Sequence, residues 1–356
     1  MINARELISE DGKALVMLCS QLGINGGGDA SVLTPLTLSE WNAFARRIHD
    51  SALKRPSALL GLTAKDLAKQ LILAKPEAER VIQLLARGGS LALELERLAA
   101  RGIWCVTRAD DAYPARLRNT LKHQAPAVLF GAGELAVFHK ARVAIIGSRN
   151  LDERGQSLAQ ALGGMCARIS AVVVSGGARG TDRIAMQAAL EAGGSAVGAL
   201  ADSLEKTVRQ PDVREFITDG RLTLLTPYQP DSGFSVGAAM GRNKIIYGLA
   251  DYAVVVASDY EKGGTWAGAV EALKAEWCPV FVSSGADAGA GNKELVKKGA
   301  LPLSEAELDG IVHLTDWMKE RVTPKLNQPE LLPASIHEGA APYTAQARKA
   351  AHRSKS

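Results

Sequence analysis

Apolar residues recur at helical spacing through about the first 100 positions, and the pattern then changes to short, nearly continuous apolar runs. In the first stretch, Thr37-Leu38-Ser39-Glu40 has the form of a capping box ahead of Trp41, Phe44, Ala45 and Ile48, which predicts a helix starting there. Between Leu60 and Gly89 the spacing predicts two short helices around Pro76. They read more simply as a helix pair than as a helix-hairpin-helix fragment gripping a DNA backbone. From Ile103-Trp104-Cys105-Val106 through Tyr113-Pro114 to Ala127-Val128-Leu129-Phe130-Gly131 the signal is of short strands. The runs Val143–Ile146, Ala171–Val174, Ala196–Leu200, Leu222–Leu225, Tyr252–Val256 and Val280–Val282 then alternate with helix-like segments. Such alternation predicts an α/β fold with a doubly wound, mainly parallel sheet carrying crossover helices on both faces. The expected organisation is a helical N-terminal domain over 1–100, the α/β domain over 101–316, and a flexible basic tail over 317–356, where the chain turns Pro-rich and then basic.

Composition narrows this picture only slightly. With 47% hydrophobic and 22% charged residues among 356, the chain has the make-up of a soluble globular protein, and a net charge of +4 is too small to argue nucleic-acid binding by itself. What matters is where the charges fall. Cys19, Cys105, Cys166 and Cys278 are far apart, so neither a disulfide framework nor a zinc cluster is signalled. The first residues lack the pattern of a signal peptide and no apolar run of membrane-spanning length occurs, so the expected setting is cytoplasmic, away from membranes.

Three loops that should end strands combine glycine with a basic residue. Gly147-Ser148-Arg149-Asn150 follows the first parallel strand, and a helix is expected to begin near Leu151-Asp152-Glu153. Amides at that helix start and the Ser148 hydroxyl can donate to a phosphate, while the Arg149 guanidinium can bind one bidentately. In Ser175-Gly176-Gly177-Ala178-Arg179-Gly180-Thr181-Asp182, three glycines open the backbone amides to an anion, more than a tight turn needs. A helix running to Leu190 should follow, with Asp182 in a structural role as its N-cap. The third loop carries Lys262, Gly263, Gly264 and Thr265 before Trp266, which is expected to pack on the sheet rather than stack on a base. Finally, Arg242-Asn243-Lys244 sits in a helical turn ahead of a buried strand, a costly place for a basic triplet unless an anion needs it. Strand-end loops of a parallel sheet converge on one crevice, so these segments are expected to meet. No H-E-x-x-H, G-x-S-x-G or Walker sequence is present, which favours binding over catalysis, with no cofactor or metal implied.

Taken together, these segments resemble the DNA-processing protein A family, also called Smf. Val143 through Arg149 is similar to its first strand and G-S-R turn, Ser175 through Asp182 to its S-G-x-A-x-G-I-D signature, and Gly241 through Ile246 to its R-N-R-I-I segment. Tyr113-Pro114, Ala125 through Gly131, and Asn292 through Ala300 also fit, so the resemblance runs from about residue 93 to 303. It implies an extended Rossmann fold that dimerises, binds single-stranded DNA in a basic pocket and hands the strand to a RecA-type recombinase. Carried over by motif, Ser148, Arg149, Gly176, Gly180, Arg242 and Asn243 would form that pocket. This chain departs from the family at Gly177, usually apolar, at Thr181, usually Ile, at Met186, usually His, and in the Gly263-Gly264-Thr265-Trp266 loop.

Two other readings compete. One is a regulatory protein, an antitoxin or phage-defence component whose α/β unit senses a nucleotide or DNA while the unfamiliar N-terminal helices hold a toxin partner. The other is a nucleoside phosphoribohydrolase of the lysine-decarboxylase-like group. There the catalytic Glu would follow the threonine by three residues, but Glu271 follows Thr265 by six, about 600° around a helix.

Overall fold

A computed structural model describes residues 7–24, 33–285 and 288–323. Among the described residues the first α-helices are α1 (Glu10–Cys19), α2 (Leu38–Asp50), α3 (Ala64–Leu71), α4 (Lys75–Leu85) and α5 (Gly88–Ala99). The predicted capping box at α2 is formed in both directions, with Thr37 Oγ1 accepting from the Glu40 amide and the Glu40 carboxylate accepting from the Thr37 amide. The helix pair around Pro76 is α3 and α4, with Pro76 in the first turn of α4, where its missing N–H costs nothing.

An antiparallel edge follows: β1 (Ile103–Thr107), α6 (Ala115–Leu121) and β2 (Val128–Ala132). The parallel unit is then β3 (Arg142–Ile146), α7 (Glu153–Arg168), β4 (Val172–Ser175), α8 (Thr181–Glu191), β5 (Ser195–Ala199), α9 (Leu204–Thr207), α10 (Pro211–Thr218) and β6 (Leu222–Thr226). It continues with α11 (Val236–Leu249), β7 (Tyr252–Val255), α12 (Gly263–Lys274), β8 (Val280–Ser284), α13 (Ala290–Lys297) and β9 (Leu301–Ser304), and ends in α14 (Glu305–Leu308) and α15 (Leu314–Val322). Among the described residues the strands form one sheet in the order β1-β2-β6-β5-β4-β3-β7-β8-β9, antiparallel only at the β1–β2 and β2–β6 pairs. The expected doubly wound, mainly parallel sheet is the observed one.

Alternation along each strand sends neighbouring side chains to opposite faces. Val143 and Ile145 of β3 join Leu158 and Leu162 of α7 and Ala185 of α8, whereas Ala144 and Ile146 join Ile245 and Leu249 of α11 and Trp266 of α12. The N-terminal helices share the first of these cores: Leu15, Leu18 and Leu84 lie in the same buried cluster as Phe130 and Val143. The change near residue 100 is therefore one of element type, from α5 to β1, while the packing runs across it. Buried Asp110 sews the two parts together, accepting from the Ser9 amide and hydroxyl at the cap of α1 and from the Thr107 amide and hydroxyl at the end of β1. Arg97 of α5 and Arg101 in the turn after it both ion-pair with buried Glu205 of α9.

Residues 317–322, placed in the flexible tail by composition, are helical. Helix α15 runs to Val322, with Met318 buried and the Trp317 ring 5.6 Å from that of Phe281. The rest of the tail, from residue 324, lies outside the described residues. Among the described residues, no helix is long and apolar enough to cross a membrane.

Candidate nucleic-acid interface

The order of β4, β3 and β7 side by side brings three glycine loops to one edge of the sheet, at the carboxyl ends of the strands. Their backbones are laced together. The Ser148 amide donates to Ala257 O at 2.9 Å, Thr181 Oγ1 to Ser148 O at 3.1 Å, and Thr265 Oγ1 to Gly147 O at 3.0 Å. Asn243 Nδ2 adds a bond to Gly264 O at 2.9 Å. The predicted convergence is thus present, but several groups expected to meet a ligand are spent in making it. Ser175 is another, its buried hydroxyl donating to Ile145 O at 2.6 Å.

Beside these loops, over the ends of β4, β5 and β6, lies a hollow of about 450 Å³. Arg149, Gly176, Gly177, Arg179 and Arg242 line it, together with Arg183, Asp202, Asp212 and Phe234, and Met186, Leu200 and Leu224 supply apolar wall. Arg149, Arg179 and Arg183 are exposed, and Arg242 is only 6% exposed. The buried guanidinium is the unusual group. Its Nε and Nη1 have no hydrogen-bond partner, although a buried charge is expected to have every donor satisfied. Burial lowers the Arg242 pKa, opposed by the nearby carboxylates of Asp182 and Asp202.

Asp182 differs from its expected place. The cap of α8 is Gly180, which offers no side chain, and Asp182 lies inside the helix, buried, accepting from the Gly176 amide at 3.0 Å. Burial pushes its pKa up to about 6, with Arg242 pulling the other way. The glycines serve this arrangement. A Cβ on Gly176 would stand 1.5 Å from Arg242 Nη1, and Gly180, at φ +83°, passes so close to the preceding loop that a Cβ would lie 2.5 Å from Ser148 O.

Other expected site residues lie elsewhere. Ser148 faces a second hollow, of about 270 Å³ over β3, β7 and β8, whose wall includes Ser258, Ser283, Asn292 and Arg154. Lys244 lines a third, of about 250 Å³, with Tyr228, Gly241 and Pro126. Lys262, Gly263, Gly264 and Thr265 line none of the three, and Gly147 is buried beneath Thr181. Trp266 is buried, edge-on to Tyr260 at 5.2 Å, the packed role expected of it. Glu271 is exposed on α12 and lines neither of the first two hollows.

The motif reading missed Arg183, Asp202 and Phe234. For Arg183 a signal existed: with Arg179 it places two cations at the start of α8, against the helix dipole, where cations are unfavourable without an anion. Asp202 and Phe234 carry no such mark. The fold alone brings them in.

The model of the family described as DNA recombination-mediator protein A matches residues 104–313, more than half of the chain. This chain belongs to that family. The DNA processing protein DprA of Bacillus subtilis (strain 168) is 28% identical over 283 residues, covering 78% of this chain and 89% of that protein. The DprA of Streptococcus pneumoniae (strain ATCC BAA-255 / R6) is 30% identical over 157 residues, covering 43% of this chain and 54% of that protein. Among solved structures, the X-ray structure of Streptococcus pneumoniae DprA superposes with a TM-score of 0.62 at 21% identity, covering 85% of this chain and 96% of that one. DprA from Helicobacter pylori, described for its single-stranded DNA binding mode, superposes at 0.50 with 23% identity, covering 61% and 96%. At these identities the superpositions show a shared fold.

Proposed function

We propose that this recombination-mediator family member binds single-stranded DNA in the arginine hollow, as a binding protein and not as an enzyme. The observation that carries the reading is buried Arg242 with two unpartnered guanidinium nitrogens at the floor of a hollow rimmed by Arg149, Arg179 and Arg183. A phosphodiester supplies the oxygens that these donors lack, through charge-assisted hydrogen bonds. Binding of this kind follows the backbone and tolerates any sequence. The related Helicobacter pylori protein, described as binding single-stranded DNA, supports the same ligand class. The family's role makes transfer of the strand to a RecA-type recombinase, by a homodimer in the cytoplasm, the matching physiological assignment.

The test is equilibrium binding of a labelled oligonucleotide and of a mononucleotide across a salt series. Affinity for the oligonucleotide should fall steeply with salt, by a slope of about 0.7 per neutralised phosphate. Arg149→Ala should weaken it about 10- to 100-fold, the loss of a charge-assisted contact. A flat salt response, or unchanged affinity in Arg149→Ala, refutes the assignment.

A further inference from the structure

One wall of the arginine hollow has little hold of its own on the sheet. Thr207, Gln210, Asp212, Val213 and Phe216 of the α9–α10 segment supply that wall, yet none of the eight residues of α10 is buried. Such a wall takes its place from its ends. At the far end the Arg221 guanidinium lies 5.0 Å from the centre of the Phe216 ring and donates to Leu190 O at 2.7 Å. The near end is α9, where Leu204 is buried and Glu205 is 7% exposed. The Glu205 carboxylate meets the guanidinium groups of Arg97 at 2.9 Å, of Arg101, and of Arg209 at 3.9 Å. A buried carboxylate is stable only beside its cations, so α9 is held where α5 and the turn after it present them. The same helix holds the loop that carries Phe234. The Glu205 amide donates to Pro230 O at 2.9 Å and Ser203 Oγ to the same oxygen at 3.1 Å, in the stretch between β6 and α11. Beside it Gln229, with its amide turned to satisfy both groups, accepts from the Gln21 and Leu22 amides after α1 at 2.6 and 3.1 Å. Two parts of the rim are thus pinned by N-terminal helices that line no part of the hollow.

We infer that Glu205 is a positioning residue for the bound strand. Through it the N-terminal helices fix the α9–α10 wall, and DNA affinity depends on side chains that never touch DNA. A wall already in place leaves less to be ordered when a strand enters, which raises affinity without adding a contact. The carboxylate acts by location and not by charge. As a charge alone it repels a phosphodiester, so its removal would tighten binding. As the anchor of α9 its removal loosens the wall and weakens binding. The two roles differ in sign, and one substitution tells them apart.

This inference rests on the binding role proposed above, and the experiment separates the two. The whole protein is titrated with a labelled oligothymidylate, with anisotropy as the readout, at a temperature where melts show each variant folded. Glu205→Gln should weaken binding about 5-fold, within the range for residues coupled to a site they do not touch, and leave the salt slope unchanged. Arg101→Ala should add less than about twofold to Glu205→Gln, because both break the same tie. Hydrogen exchange on the wild-type protein gives an independent reading should Glu205→Gln not fold. Oligothymidylate should slow exchange across residues 204–218 and, by linkage, in α5. Unchanged or tighter binding by folded Glu205→Gln overturns the inference while leaving the arginine hollow standing. So does full additivity of Arg101→Ala, or exchange across 204–218 that the bound strand leaves unaltered. A wild-type protein that binds no oligothymidylate removes both proposals.

Discussion

Two hollows lie at the carboxyl ends of the same sheet, and they have opposite characters. In the one over β3, β7 and β8 the polar groups are paired: Asn292 donates to Val256 O at 3.0 Å and Ser283 O at 2.9 Å and accepts from the Ser258 amide at 2.9 Å, while Arg154 pairs with Glu305 at 2.6 Å. In the one over β4, β5 and β6, the buried guanidinium of Arg242 keeps two nitrogens without partners, and Arg149 has Phe234 for company. The polar groups of the first hollow hold the fold together, and those of the second are left for the anion proposed above. A glycine loop or a helix start therefore does not identify a binding site by itself. The proposed reading rests instead on an unmet hydrogen-bonding demand at the floor of an open hollow.

Five experiments break or sharpen this contrast. The largest effect belongs to Arg242→Ala, which removes the cation nearest buried Asp182 and should lower stability, seen in urea melts, and abolish oligonucleotide binding. Asn292→Ala should come next, costing about 3 kcal/mol by stranding three backbone groups, yet oligonucleotide affinity measured well below the melt should be unchanged. If DNA binding is lost in Asn292→Ala, the contrast between the hollows collapses. Gly176→Ala drives a methyl group into the Arg242 guanidinium and should lower affinity about 10-fold, with the salt slope reduced.

A smaller effect is expected from pH. The Asp182 pKa is raised in the folded protein to about 6 from an ordinary 3.8, so the fold favours the protonated carboxyl. Its stabilising contribution is complete below about 4 and is lost as pH rises through about 6. The neutral form also withdraws a negative charge from beside Arg242, so oligonucleotide affinity should rise roughly threefold from pH 7.5 to 5. Asp182→Asn should flatten that rise, which separates it from any histidine titration. The smallest change is Thr265→Val, expected to cost about 1 kcal/mol through its bond to Gly147 O and to leave DNA affinity alone. A large loss of binding in that variant would return the third loop to the interface.

Much of the architecture was legible along the chain because it depends on short-range pattern. Apolar runs separated by helical spacing gave β3 to β8 to within a residue or two, and the capping box at Thr37 gave α2. Two elements escaped for physical reasons. Strand β9 is an edge strand of four residues with an exposed proline at Pro302, so it lacks both the length and the donor pattern of a strand signal. Helix α15 abuts the Pro-rich stretch that suggested a tail, and burial of Met318 on the sheet's core is a contact invisible to local composition.

The sequence by itself determined the winding of the sheet and the gathering of Gly147, Gly176 and Arg242 at one end of it, since strand alternation and crossover handedness leave little choice. Only the tertiary structure decided which of those groups remain free. Thr265, Asn243 and Ser175 also carry donors that could meet a phosphate, but each donates to a backbone carbonyl from a strand or loop remote in the chain. Hydrogen-bond satisfaction is a property of the assembled neighbourhood, and residues such as Asp202 and Phe234 enter that neighbourhood through the path of the backbone and not through any motif of their own.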